Sequence, residues 1–467
     1  MTTILWYDLE TFGRDKSFDR IAQAAYVRTD LDFQILYSNV LYCRLPEYYL
    51  PHPEACLING LTPQFVNAHG LSESDFAETL RKEFTTKDTI VIGFNNLDFD
   101  DKFIRSLFYR TLFNPYEHEW GNTRWDILNL AKATYSLRPD GINWPPLHEQ
   151  KGYPVFKLTE ITKANGINQE GAHDALVDVL ATIEVAKLIK ERSPRLYNYY
   201  FNTRTKQQIT EALQKPGYEI ILHTRFFYNE YWKTCTHPLM PIRFDEEKKA
   251  VYCYDLLLGM PDSIQAAKEK GGLIKIEINK YPFIAPFTTC TDNTFSELGL
   301  KKRDIESVCD RIIEEHVFSD VPAFIEATDE YPESERTQEP SAEVFAFRGA
   351  FLPNQFYWNL ARIKRDIQTG KRFALPAFEN CSYYRELVVC YIGNNYPEML
   401  TDEEKALYEK VKDSTLSGTS VNSDKALSIN GYKSKIERLR NELEDSDRKT
   451  QEILYELEEY LNLLPDV

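Results

Sequence analysis

The sequence predicts an α/β domain that is followed by a β-rich segment and a helical segment. At 467 residues the chain is too long for one ordinary hydrophobic core, so two or three domains are expected. Strand-like and helix-like patterns interleave up to about residue 190, short strand-like runs follow, and the end of the chain has helical periodicity. We therefore predict domains at residues 1–192, 193–342 and 343–467.

The first predicted element is a strand over Ile4–Leu9. Side chains alternate along a strand with period two, so Trp6, Asp8 and Glu10 project from one face of it. The other predicted elements of this segment are strands at Ile21–Thr29, Ile35–Cys43 and Thr89–Phe94, and helices that contain Phe76–Phe84, Phe103–Leu112 and Leu176–Ile183.

The later segments have weaker patterns. Short strands are predicted at Tyr218–Leu222, Ala250–Leu256 and Leu273–Ile278. The acidic, Pro-bounded stretch Asp329–Pro340 is predicted to be a linker or an exposed loop. Apolar residues in Ile436–Leu464 recur three and four apart but are interrupted at Ser446 and Thr450. This favours a helix pair packed within the chain over a coiled-coil dimer.

Composition excludes several classes of protein. No apolar run approaches the roughly 18 residues of a membrane helix, and the first residues lack the features of a signal peptide, so we expect a cytoplasmic protein. Eight cysteines occur without a CxxC pair, which argues against a zinc ribbon and a disulfide framework. The net charge of −17 disfavours a protein that coats nucleic acid electrostatically, although bound divalent cations would offset negative charge at a site.

Four carboxylates and one histidine form the candidate site. Asp8 and Glu10 share a face of the first strand, Asp100 follows a later strand, and His173 and Asp178 lie near the start and on the body of a helix. Clustered carboxylates repel one another unless cations are bound, and two Mg²⁺ ions about 3.5–4 Å apart can promote phosphodiester hydrolysis. A histidine with a pKa near neutrality suits removal of a proton from water.

These motifs, in this order, resemble the histidine subtype of the DEDD exonucleases. The resemblance rests on DxE at Asp8 and Glu10, on N-x-x-F-D ending at Asp100, and on H-x₄-D from His173 to Asp178. It implies an RNase H-like fold. It further implies that Asp8, Glu10 and Asp178 are ligands of one metal, with Asp8 bridging to a second metal. Asp100 would then support the second metal largely through water, and His173 would be the general base.

Longer stretches resemble the bacterial exonuclease I family. They are Tyr7–Gly13, Leu137–Pro145, Leu158–Ile167, Ala172–Ala175 and Ile278–Pro282. The resemblance implies an exonuclease domain, an SH3-like domain and a helical domain, in that order. It implies stepwise 3′→5′ hydrolysis of single-stranded DNA to nucleoside 5′-monophosphates in DNA repair and recombination. Mg²⁺ would be the cofactor, with Mn²⁺ able to replace it.

The same resemblance bears on partners. It implies that the C-terminal tail of single-stranded DNA-binding protein docks on a basic, apolar groove, which the sequence does not locate. We expect a monomer and no membrane association.

Candidate substrate contacts follow from the way single strands are bound, on aromatic side chains with basic side chains along the backbone. Arg138 and Trp144 lie in a family-matching stretch, and Leu9 and Phe12 flank the strand that carries Asp8. Lys157 stands where relatives carry an arginine, and a lysine retains the charge without the bidentate geometry. The full set is Leu9, Glu10, Phe12, Trp120, Arg124, Lys132, Arg138, Trp144 and Lys157.

The sequence leaves three alternative functions open. An exoribonuclease would use the same chemistry, because the 2′-OH is sensed by local contacts. A non-enzymatic accessory protein that holds single strands is disfavoured by the intact set of acidic residues. A polymerase proofreading subunit is disfavoured by the two additional domains.

Overall fold

Two five-stranded sheets organise the chain. The computed structural model describes residues 2–149, 154–213, 220–227, 231, 234–329, 342–343, 354–371, 382–419, 427–443 and 447–464.

The first sheet is mixed, with the strand order β3-β2-β1-β4-β5. Its strands are β1 (Thr3–Thr11), β2 (Ile21–Thr29), β3 (Ile35–Tyr42), β4 (Thr89–Gly93) and β5 (Thr123–Asp126). β2 is antiparallel to β1 and to β3, whereas β4 is parallel to β1 and to β5. The carboxyl ends of β1, β4 and β5 therefore meet at one edge of the sheet. The four predicted strands are confirmed to within two residues, and only β5 was not predicted.

Several α-helices belong to the same region of the chain as this sheet. They are α1 (Pro53–Asn59), α2 (Pro63–His69), α3 (Glu73–Phe84), α4 (Asp100–Arg110), α5 (Ile127–Leu137), α6 (Leu158–Ala164) and α7 (Ala175–Arg192). The three predicted helices are α3, α4 and α7. α7 packs against β1 and β2, and its buried face includes the small residues Ala175, Ala181, Thr182 and Ala186. Small side chains allow this helix to approach the sheet closely.

The second region contains an antiparallel sheet with the order β10-β6-β7-β8-β9. Its elements are α8 (Pro194–Asn202), α9 (Lys206–Leu213), β6 (Ile221–Thr224), β7 (Thr236–Asp245), β8 (Ala250–Asp255), α10 (Ile264–Glu269), β9 (Leu273–Glu277), β10 (Phe283–Pro286), α11 (Lys302–Glu314) and α12 (Val321–Asp329). β8 and β9 confirm two of the predicted strands. β6 contains the last two residues of the third, Ile221 and Leu222, whereas its predicted residues 218 and 219 lie outside the described ranges. The predicted linker lies outside the described residues except for Asp329, which ends α12.

The third region is helical. Its helices are α13 (Asn354–Gln368), α14 (Ser382–Asn395), α15 (Asp402–Leu416), α16 (Ile429–Glu442) and α17 (Arg448–Asn462). α16 and α17 form the predicted helix pair and pack on α1 and α2. Tyr432, Ile436, Leu457 and Tyr460 share a buried cluster with Phe12. The apolar stripe that suggested a coiled coil is thus buried within the chain itself.

The seven cysteines in the described ranges are buried. No helix of the described ranges is long and apolar enough to cross a bilayer.

A buried ionic group lies beneath the carboxyl end of β1. The Arg124 guanidinium on β5 donates to Asp101 Oδ1 on α4 at 2.6 Å, and the Tyr7 hydroxyl on β1 donates to the same oxygen. Arg124 is 0% exposed and Asp101 is 3% exposed. Because Asp101 directly follows Asp100, this group fixes the first turn of α4 against the sheet.

We expect Asp101→Asn to lower the free energy of unfolding by about 3–5 kcal/mol, because it leaves the buried Arg124 without a counter-charge. Glu452→Gln is the matched control, since the Arg448–Glu452 pair is exposed and should contribute less than about 0.5 kcal/mol. Urea denaturation followed by circular dichroism measures both. A loss below about 1 kcal/mol for Asp101→Asn would show that the buried pair does not anchor α4.

Candidate active site

Acidic side chains converge at the carboxyl end of β1. Glu10, His173 and Asp178 each offer a ligand atom, and these atoms lie within 4.8 Å of one another. Glu10 comes from β1, whereas His173 precedes α7 and Asp178 lies in the first turn of that helix. The packing of α7 across β1 and β2 brings together residues that are far apart in the sequence.

Asp100 and Asp8 complete the cluster. The backbone N–H of Leu9 donates to Asp100 Oδ1 at 3.1 Å, which holds this carboxylate beside β1. The N-cap of α4 is Phe99, so Asp100 does not have the capping role that is common for Asp near a helix start. Asp8 lies close enough to Asp100, Glu10 and Asp178 for their charges to affect its pKa. The structure therefore brings all five predicted residues together.

Burial and mutual repulsion weaken the acidity of these groups. Burial, followed by the charges of Asp100 and Glu10, raises the pKa of Asp8 well above its usual range. Burial and the Asp178 charge raise the pKa of Glu10 to about 8, and burial and the Asp101 charge raise the pKa of Asp100 to about 8. Burial also raises the pKa of Asp178. Crowded carboxylate oxygens beside an imidazole are a donor set that fits a hard divalent cation.

His173 has an unusual backbone conformation. Its φ angle is 71°, in the left-handed region that non-glycine residues seldom adopt, and its side chain is exposed. The next residue, Asp174, is the N-cap of α7 and accepts from the N–H groups of Leu176 and Val177. The triad whose ligand atoms lie within 4.8 Å of one another differs from the predicted ligand set Asp8, Glu10 and Asp178, because it contains His173 in place of Asp8.

Gln23 was not singled out from the sequence, although it lies next to the cluster. It is 1% exposed on β2 and pairs directly with Glu10 across the ladder. Its Oε1 accepts from the N–H of Ala175 at 3.1 Å, and its Nε2 donates to Asp174 Oδ2 at 3.3 Å. Gln23 thus fastens the first turn of α7 to the sheet. A single buried amide has no sequence motif, so only the strand register reveals this role.

Gln169 was also missed. It lies between α6 and α7, and its Nε2 donates to Asp178 Oδ1 at 2.7 Å. Its Oε1 accepts from the Thr162 hydroxyl on α6, also at 2.7 Å.

A cleft of about 760 Å³ opens beside Glu10. Its walls come from the end of β1, from α1 and from the third region: Leu9, Glu10, Thr11, Gly13, Arg14, Asp19, His52, Glu54, Ala55, Ile58, Asn59, Phe99, Leu427 and Lys435. Lys435 on α16 pairs with Glu54 at 2.9 Å, and its Nζ lies 3.4 Å from His52 Nδ1. The C-terminal helices therefore contribute to the wall of the cleft.

A second cavity, of about 400 Å³, lies between the first region and the second sheet. Six cationic side chains line it, against three carboxylates. The cations are Lys102, Arg105, Lys132, Arg225, Lys275 and Lys280, and the carboxylates are Asp98, Asp101 and Glu277. The side chains that line this basic groove are mainly cationic, whereas the whole chain has a net charge of −17. Four of the six cations, Lys102, Arg105, Lys275 and Lys280, pair with nearby carboxylates.

Four of the predicted substrate contacts line a cavity or lie at the surface, namely Leu9, Glu10, Lys132 and Lys157, although Leu9 and Lys132 are only 5% and 4% exposed. Leu9 lines the cleft beside Glu10. Lys132 lines the basic groove, where its ammonium lies 3.7 Å from the centre of the Phe226 ring. Lys157 is exposed at the start of α6.

Two others are partly occupied by contacts within the chain. The Arg138 guanidinium donates to the carbonyl of Thr289 at 2.9 Å and so joins the first and second regions. Trp144 packs edge-on against Tyr135 and Phe156, and its indole N–H donates to the carbonyl of Pro139.

The other three predicted contacts lie where they cannot touch single-stranded DNA bound at the carboxylate cluster. Phe12 is 0% exposed beneath the C-terminal helices, and Arg124 is buried against Asp101, so we remove both from the predicted contacts. Trp120 is 58% exposed but precedes β5, whose first residue is level with the start of β1. At roughly 3.3 Å per residue, this places Trp120 about 20 Å from Glu10.

Comparison with known proteins agrees with this architecture. The family model described as "Exonuclease" matches residues 5–186, and the model described as "Exonuclease I C-terminal domain" matches residues 364–464. Exodeoxyribonuclease I of Haemophilus influenzae is 39% identical over 319 residues, which cover 64% of this chain and 67% of the relative.

Solved structures extend the similarity over the full length. Exonuclease I from Methylocaldum szegediense is 32% identical, with a TM-score of 0.84 over 99% of this chain and 100% of that one. Escherichia coli exonuclease I in complex with a dT13 oligonucleotide is 28% identical, with a TM-score of 0.85 over 100% of both chains. The predicted order of an α/β exonuclease region, a β-rich region and a helical region is confirmed. The chain belongs to the exodeoxyribonuclease I family.

Proposed function

We propose that this protein hydrolyses single-stranded DNA stepwise from the 3′ end and releases nucleoside 5′-monophosphates. The observation that carries the proposal is the convergence of Asp8, Glu10, Asp100, His173 and Asp178 at one sheet edge. Its support is membership of a family of exodeoxyribonucleases, one of which has been solved with an oligonucleotide.

Two Mg²⁺ ions are the proposed cofactor, and Mn²⁺ is expected to replace them. Asp8, Glu10 and Asp178 would hold them, with Asp100 in support. When bound, such ions lower the pKa of water and stabilise negative charge on a phosphoryl group. The raised pKa values of the carboxylates support this assignment, because a cation would offset both the burial and the repulsion that raise them.

His173 is the proposed general base. Its exposed position gives water access to the imidazole, and Glu10 and Asp178 are close enough to stabilise the imidazolium that forms when it takes a proton. An imidazole held by a left-handed backbone at the start of α7 stays beside the carboxylates.

The basic groove is the proposed path of the DNA backbone, because its cations can neutralise successive phosphates. Lys132 lies in it, and Leu9 would contact the terminal nucleotide in the cleft next to Glu10. Arg138, Trp144 and Lys157 remain predicted contacts through their accessible atoms.

We further propose that the second sheet is SH3-like. Strands β6 to β9 follow one another in the sheet, β10 returns to the side of β6, and a 3₁₀ turn at Ile278–Lys280 separates β9 from β10. The cytoplasmic location, the roles in repair and recombination, the monomeric state and the docking of the tail of single-stranded DNA-binding protein stay predictions.

Digestion of 5′-labelled single-stranded DNA with Mg²⁺ tests the proposed activity. We expect a ladder that shortens from the 3′ end, and a rate at least about 100-fold lower for Asp178→Asn, because that variant loses a charge that supports the transition state. Asp262→Asn, which changes an exposed carboxylate in the second region, is the control and should retain full activity. Digestion of same-sequence RNA with intact DNA would instead indicate an exoribonuclease.

Thermal unfolding at varied pH tests the electrostatic basis of metal binding. Glu10 and Asp100 have pKa values of about 8 in the folded chain, against about 4 when unfolded, so the folded state binds more protons between these values. Stability of the metal-free protein should therefore fall as pH rises from about 4 to about 8 and should level off above about pH 8.

Mg²⁺ should accordingly raise the unfolding midpoint more at about pH 9 than at about pH 6. Glu10→Gln should flatten the metal-free pH profile, because it removes one of the repelling groups. An Mg²⁺ effect that is the same at both pH values would show that ionisation of these carboxylates does not govern metal binding.

A further inference from the structure

The side chain of Gln169 connects two helices at the edge of the carboxylate cluster. Its amide spans from the Thr162 hydroxyl on α6 to the Asp178 carboxylate on α7, and both hydrogen bonds are 2.7 Å long. Thr162 is 1% exposed, so this end of the connection is fixed in the protein interior. Beside it, the N–H of Ile167 donates to the Thr162 carbonyl at 2.9 Å, which ties the intervening loop to α6.

The chemistry of the three groups determines how the amide is oriented. An ionised carboxylate can only accept hydrogen bonds, so it must face the NH₂ group of Gln169. The amide oxygen then faces the Thr162 hydroxyl, whose single proton also points toward the carbonyls of Leu158 and Thr159 at 3.0 and 2.9 Å but has its shortest contact, 2.7 Å, with Gln169. The torsion that rotates a carboxylate has no sharp intrinsic minimum, so the orientation of Asp178 depends on such contacts. The hydrogen bond to Oδ1, together with one from the backbone N–H of His173, therefore sets the orientation in which Asp178 presents its oxygens to Glu10 and the His173 imidazole.

We propose that Gln169 is a positioning residue, which with Thr162 holds Asp178 in its metal-binding orientation. The inference rests on the proposed role of Asp178 as a metal ligand, and it adds the residues that orient this ligand. Groups that hydrogen-bond to metal ligands typically change metal affinity by about 10–100-fold when they are removed.

The fold does not depend on this contact. Gln23 already fastens the start of α7 to β2, and Val179, Ile183 and Ala186 bury the helix in the core. Gln169 itself is half-buried. Loss of its amide should therefore change metal binding without changing the stability of the metal-free protein.

Calorimetric titration of the metal-free full chain with Mn²⁺ tests the proposal. We expect Gln169→Ala to weaken the tightest site about tenfold. Thr162→Val keeps the shape of the side chain and does not touch Asp178, so it should weaken the site in the same direction by a smaller factor. Asn168→Ala is the control, because this exposed neighbouring amide bonds only within its own loop, to the N–H of Glu170, and should leave the affinity unchanged.

Two further readouts separate positioning from a structural effect. Unfolding midpoints in EDTA should be the same for the wild-type chain and the three variants. Saturating Mg²⁺ should restore the kcat of Gln169→Ala to within about twofold of wild type, since the residue is assigned no contact with DNA.

The outcomes distinguish this inference from the proposed function. A wild-type chain that neither binds Mn²⁺ nor degrades DNA overturns both. A wild-type chain that does both, with unchanged Mn²⁺ affinity in Gln169→Ala and Thr162→Val, overturns only the positioning role. If Gln169→Ala does not fold, the Mn²⁺ affinity of Thr162→Val decides the question.

Discussion

Repulsion among the carboxylates at the end of β1 is the constraint on which the surrounding structure depends. Four acidic side chains lie in one small volume, and their raised pKa values show that the folded chain opposes their ionisation. Such a cluster persists only where the surrounding structure holds each group independently. Divalent cations would convert the same repulsion into binding energy, because each carboxylate becomes a ligand.

Each acidic group is held from a different direction. The ladder with β2 fixes Asp8 and Glu10, and the N–H of Leu9 together with the buried Arg124–Asp101 pair fixes Asp100. Asp178 depends on α7, whose small buried residues and whose hydrogen bonds to Gln23 set its distance from the sheet. Removal of one support should therefore displace one carboxylate and leave the others in place.

The sequence predicted the elements whose signal is local. β1 to β4, α3, α4 and α7 follow from periodicity, and the site residues follow from motifs on those elements. β5 was not predicted because it is too short to show an alternation of apolar and polar residues. α11 and α12 were not predicted because strand-like runs were the main pattern found in that segment. Trp120 and Phe12 were predicted to contact substrate, but tertiary structure places them elsewhere. The parallel arrangement of β5 puts Trp120 at the sheet edge opposite the carboxylates, and the C-terminal helices cover Phe12. Gln23 and Lys435 reach the site only through long-range packing, whereas Gln169 reaches Asp178, nine residues away, from the loop between α6 and α7.

A crystal structure of the protein soaked with Mn²⁺, with anomalous differences measured at the manganese edge, would show whether the carboxylate cluster binds metal. Two peaks are expected at the carboxyl end of β1. One should be bound by Asp8, Glu10 and Asp178, and the other should lie between Asp8 and Asp100. Absence of density there, or peaks confined to other acidic surfaces, would show that the cluster is not a metal centre.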